Sequence, residues 1–246
     1  MTRRAPATRR PWKRYVLLTL VAVLGLVTWR AVSKLNAVPE WWEANRSFIE
    51  RLETSEPETL RGLAAAVELR LPREFTRPVG DGDGRRTLAA GFDEVNAWLA
   101  LKLGTLLKNQ GVRIDGLAGA MVTERDGRLV AAVSQDLAGS FRVVSFFFDV
   151  TDAVNDAGQA TGEPAFRLAE VRAGEQSVPL SLLARFADVD RIADPQIRAM
   201  VERAAAGESV GPLLLPVDAH RTARVKGFTI NKSGVEADLE VTYRDR

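Results

Sequence analysis

The sequence predicts an α+β fold, in which an N-terminal transmembrane helix and a helical segment precede an antiparallel sheet with packed helices. Three observations predict it. A basic start runs into an uncharged apolar stretch. Apolar residues then recur at helical spacing through residues 35–75. From Gly119 onward the pattern changes to period two, with turn residues between the runs.

The first element is the anchor. Arg3, Arg4, Arg9, Arg10, Lys13 and Arg14 precede YVLLTLVAVLGLVTW, an uncharged run of 15 residues from Tyr15 to Trp29. A span needs about 20 residues. Extension to Val32 supplies them if the Arg30 side chain snorkels to the interface, and Trp12, Tyr15 and Trp29 fall where interfacial aromatics belong. The basic side stays in the cytoplasm, which puts the remainder outside it. A cleaved signal peptide, with Ala31-Val32-Ser33 as its small-residue site, is the rival, and Trp29 and Arg30 crowd that site. The expected organisation is a basic cytoplasmic N-terminus over 1–14, a membrane anchor over 15–33, a helical segment over 35–78 and an α+β extracytoplasmic domain over 86–246.

Charge supports this division. Residues 1–34 hold eight basic residues and no acid. The rest of the chain keeps 26 of the 34 basic residues against 32 acidic ones, a formal charge of −6. The basicity belongs to the terminus, so the folded part lacks the overall positive charge expected of a nucleic-acid reader, and no nucleic-acid partner is expected. With no cysteine in the chain, disulfides, thiolate metal sites and thiol nucleophiles are excluded.

The later elements follow in order. Pro39-Glu40-Trp41-Trp42 opens one helix, and Pro57 stands near the start of a second, continued by Leu60, Leu63, Ala64, Val67 and Leu71. The loop VGDGDGRR alternates Asp and Gly without the ligand set that calcium requires. The stretch RTLAAGFDEVNAWLALKLGTLLKNQG predicts an extended lead-in, a turn and a helix with Asp93 as N-cap. Val95, Leu99, Leu103 and Leu106 form its apolar stripe, and Asn96 lies at the edge of that stripe, near Trp98. Gly119–Glu124 and Arg128–Gln135 flank a hairpin turn. Ser140–Thr151 and Phe166–Gln176 read as strands, SLLARF and QIRAMVERAAAG as helices, and Ala223–Asn231 with Gly234–Tyr243 as a second hairpin.

Candidate chemistry is sparse. His220 is the one histidine and has neither a metal partner nor a nucleophile elbow. Asp188, Asp190 and Asp194 read as a solvated turn and a helix cap rather than a metal site, and no P-loop or dinucleotide glycine fingerprint is present. No catalytic residue, metal or cofactor is expected, and an acidic-residue hydrolase is the weakest alternative. The informative strand is RVVSFFFDV, whose Val144, Phe146, Phe148 and Val150 make one wholly apolar side. Val143 and Phe147 lie on the other, which predicts cover on both faces. One cover is expected from the helix carrying Asn96. The other is open between ordinary core and a groove for an apolar ligand, with Val144, Phe146, Phe148, Leu180 and Leu183 as groove candidates. Asp93, Asn96 and Trp98 form a helix-docking motif, in which the Asn96 amide bonds to a neighbouring backbone.

The order of motifs, from the basic start and single span through PEWW, FDEVNAWLA and RAGEQSVPLSLL, resembles a group of uncharacterised bacterial single-pass, membrane-anchored extracytoplasmic proteins. It is loosely similar to the YpmS-like proteins. That resemblance implies a tubular lipid-binding type of fold and no catalytic residue. The expected function is therefore non-catalytic: a cell-membrane protein whose outer domain binds lipid, another apolar envelope ligand or an envelope protein partner. The alternative is a structural or assembly role through Trp41 and Trp42.

Overall fold

The computed structural model describes residues 33–76, 84–109, 116–137, 140–155, 157–180, 195–216 and 221–243. It contains helices α1 (Glu40–Ser55), α2 (Pro57–Thr76), α3 (Phe92–Asn109) and α4 (Pro195–Ala205). The strands are β1 (Arg85–Gly91), β2 (Leu117–Arg125), β3 (Arg128–Leu137), β4 (Ser140–Val154), β5 (Ala160–Ala173), β6 (Gln176–Val178), β7 (Ser209–Val210), β8 (Leu214–Pro216), β9 (Arg221–Asn231) and β10 (Gly234–Tyr243). The fold is α+β and its ladders are antiparallel. The membrane span expected over 15–33 lies outside the described residues, apart from Ser33. Among the described residues no helix is long and apolar enough to cross a membrane.

The single sheet expected from the sequence is two sheets. One has the order β1-β10-β9-β8, and the other β2-β3-β4-β5-β6, with β7 also paired to β5. Strand β1, the short extended lead-in, joins β10 with Arg85 opposite Glu240 and Gly91 opposite Gly234. The pairing is non-local, so alternation within each strand carries no trace of it.

Local chemistry explains the elements well. Pro39 flanks α1 in an extended conformation, and Pro57 is the first residue of α2, where its missing N–H costs nothing. In the β2–β3 hairpin Asp126 and Gly127 both take positive φ, 54° and 77°, as a two-residue type I′ turn requires. At the β9–β10 turn the Asn231 Oδ1 accepts from the Ser233 N–H at 2.9 Å and the Gly234 N–H at 3.0 Å. This side-chain turn fixes the hairpin register.

Helix α3 begins one residue earlier than its expected cap. Asp93 is exposed inside the first turn. Phe92 is buried, and its N–H donates to the Ser233 carbonyl at 2.9 Å, which draws it into the helix. The capping falls to Glu94, whose Oε2 accepts from the Gly91 N–H at 3.0 Å, half of a capping box. Arg70 of α2 grips the same carboxylate with two bonds of 2.8 Å and donates to the Ala89 carbonyl.

The helical segment does not stand apart. Ile49, Leu52, Leu60 and Ala64 pack with Ala97 of α3 in one buried cluster, with Phe48, Leu63 and Trp98 around it. The two sheets meet where β9 crosses β5. There Phe166 and Phe228 stack edge to face at 4.8 Å, and Glu163 reaches Arg224 and Lys226. Ahead of α1, Gly174 (φ 58°) lies under residues 34–37. Glu175 N–H donates to the Lys34 carbonyl at 3.0 Å, and a Cβ on Gly174 would come within 2.5–2.8 Å of the carbonyl oxygens of Lys34, Leu35 and Ala37.

Candidate functional site

The six-stranded sheet has two unlike faces. Register places Met121, Val130, Ala132, Ser134, Val143, Ser145 and Phe147 on one face, all buried. The Asn96 helix, expected to cover one face of β4, does not cover this one. Its cover is α1, through Trp42, which is 1% exposed and packs on Met121, Ala132 and Val143. Small residues explain the choice: Gly119, Ala132 and Ser134 leave a hollow for the indole, whose Cζ2 would lie 3.9 Å from a Cβ on Gly119. Trp42 is thus core, and of the adjacent pair only the half-buried Trp41 is left for an assembly surface.

The opposite face carries Leu129, Ala131, Val133, Val144, Phe146, Phe148 and Val150, all apolar and all half-buried. It continues onto β5 through Leu168 and Val171, which are fully buried. The groove candidates Val144, Phe146 and Phe148 therefore share one face, but it is the less covered one. Leu180 lies 3.8 Å from where a Cβ on Gly207 would be. Leu183, like His220 and Asp188, Asp190 and Asp194, lies outside the described residues.

Helix α3 packs against α2 and against the outer edge of β2. Its buried centre is Asn96 and Ala97 rather than the expected leucine stripe, whose Leu106 is 41% exposed. Asn96 is 3% exposed and bonds twice to one residue of β2. Its Nδ2 donates to the Val122 carbonyl at 3.0 Å, and its Oδ1 accepts the Val122 N–H at 2.7 Å. The carboxamide occupies both free backbone groups as a neighbouring strand would.

Two clefts of about 330 Å³ each flank α1. The first lies between α1, α3 and the β2 edge, lined by Trp42, Ile49, Leu99, Leu103 and Phe141 with Arg46, Glu50 and Glu53 at its polar side. The second holds Trp41, Ser145, Phe147 and Arg172, with the Arg172 guanidinium 4.6 Å from the Phe147 ring centroid. Val144, Phe146, Phe148 and Leu180 line neither. Sequence reasoning missed both clefts, because each is made by the docking of α1 on non-local strands.

The carboxylates of the sheet are tied to cations. Asp149 pairs with Arg167 at 2.8 Å and Arg128 at 2.9 Å, and Glu170 with Arg172 at 2.8 Å. The hydrogen bond from Arg167 holds the Asp149 carboxyl below its ordinary value, and that from Arg172 does the same for Glu170. Both move away from the range a general acid needs at neutral pH. Among the described residues no group of three His, Cys, Asp or Glu side chains is placed to hold a metal. No family model, curated protein or solved structure matches the chain.

Proposed function

We propose that the chain is a non-catalytic, membrane-tethered protein of the bacterial envelope. On this reading its extracytoplasmic domain binds an apolar ligand, a lipid acyl chain foremost, on the half-covered face of the six-stranded sheet. One observation carries the reading. That face is apolar across β3 and β4, yet Leu129, Val133, Val144, Phe146, Phe148 and Val150 all remain half-buried, while the other face is sealed. A solvated sheet face is normally polar, and an apolar one of this kind suits a ligand or interaction surface. The basic, then uncharged N-terminus supports the tether, and the lowered carboxylates support a binding role over acid–base chemistry.

The test uses the full chain reconstituted in vesicles that contain a diazirine-tagged phospholipid. Photolysis should give lipid adducts on residues 144–150, and Phe146→Arg should remove them. Adducts confined to residues 15–33, with none on β4, would overturn the ligand reading while leaving the tether in place.

A further inference from the structure

We propose that the cleft between α1, α3 and the outer edge of β2 is a docking site for an extended peptide, which adds to the sheet beside β2. This site is separate from the apolar face discussed above, and a different set of atoms carries it.

Strand β2 ends the order of the six-stranded sheet, so one side of its backbone has no strand partner among the described residues. In the continuous register from Gly119 to Arg125, alternate residues turn their N–H and C=O away from β3. Val122 is one of these, and Asn96 satisfies both of its groups. Ala120 is the next. It lines the cleft, and its outward N–H and C=O have no partner among the described residues. Asn96 therefore fills one position of an absent neighbouring strand, and the cleft leaves the following position open. Exposed edges of this kind are the usual template for strand addition.

The walls define the occupant. Leu99, Leu103 and Phe141, all half-buried, offer apolar contact to alternate side chains of an extended segment. At the polar side Arg46 is already paired with Glu50 at 2.7 Å. Glu53 has no ion pair among the described residues, which leaves one uncompensated negative charge. The matching ligand is an extended peptide with alternating apolar residues and a lysine or arginine placed to meet Glu53.

Gly104 supplies a clean test. It lines the cleft, and a Cβ there would meet nothing within 4 Å, so a larger residue fills the cleft without straining α3. The full chain, held in phosphatidylcholine nanodiscs, is presented to a random decapeptide phage library, and enriched peptides are resynthesised. They should carry a basic residue and should bind at least tenfold more weakly to Gly104→Phe and to Ala120→Pro, which lacks the outward N–H. Glu53→Lys should reverse the charge preference. An unchanged melting temperature for Gly104→Phe separates a blocked cleft from a damaged fold. No enrichment over empty discs, or equal binding to wild type and Gly104→Phe, would overturn the proposal. Lipid crosslinking to β4 is read independently, so either proposal can fail without the other.

Discussion

Glu163 is a carboxylate only 4% exposed, held by Arg224 Nε at 2.9 Å and Lys226 Nζ at 2.8 Å across the junction of the two sheets. Burial alone would raise its pKa. The hydrogen bonds from Lys226 and Arg224 outweigh burial and hold the pKa below the ordinary value. A folded-state pKa below the unfolded one means that the unfolded chain takes up protons first as the pH drops. The stability contributed by Glu163 is therefore complete above the unfolded value, about 4.3, and disappears as the pH falls through the lower folded value. Glu94, Asp149 and Glu170 are lowered by their arginine partners and act with the same sign. Glu163→Gln should lower the melting temperature at neutral pH, with the two curves converging as the pH falls below the unfolded value, about 4.3. Curves that stay parallel below that pH would show that Glu163 is not the titrating group.

At the scale of elements, the docking of α3 onto β2 rests on one side chain. Asn96→Ala would leave the Val122 N–H and C=O facing a buried contact with no partner, at a cost of about 1–3 kcal/mol. A denaturant midpoint shifted by that amount, with faster hydrogen exchange at the Val122 amide, is the expected outcome. A midpoint equal to wild type would mean that water replaces both bonds. This role was legible in the sequence because a polar amide at the edge of an apolar helical stripe calls for a backbone partner. Its target was not legible, since Val122 is 26 residues away and on a different element. Strands β2, β3, β9 and β10 were also readable, from alternation and turn chemistry. The position of α1 was not. Trp41-Trp42 gives no local sign of which indole enters the core, and the hollow that takes Trp42 exists only after β2, β3 and β4 have paired.

For the whole molecule, the helical segment and both sheets are joined through shared contacts. Helices α1, α2 and α3 share one apolar cluster, α1 also seals one face of the larger sheet, and the sheets are pinned together at β5 and β9. The full chain should accordingly unfold in one transition, with tryptophan fluorescence and far-ultraviolet circular dichroism giving the same midpoint. Two separated midpoints would divide the fold into independent units. Pairing strands as distant as β1 and β10 was beyond local pattern reading, since every element between them must first close the loop.

The seating of residues 34–37 over Gly174 bears on how the domain is mounted. The hydrogen bond from Glu175 to Lys34 lies just past Ser33, the last residue of the expected span. With the tether proposed above, little free chain remains to act as a swivel. Rotation of the span about its own axis would pass to the larger sheet as torque, and the same side of the domain would be held toward the bilayer. Under that tether Gly174 would be the mounting point of the domain, since its lack of a side chain is what lets the carbonyls of Lys34, Leu35 and Ala37 sit against it.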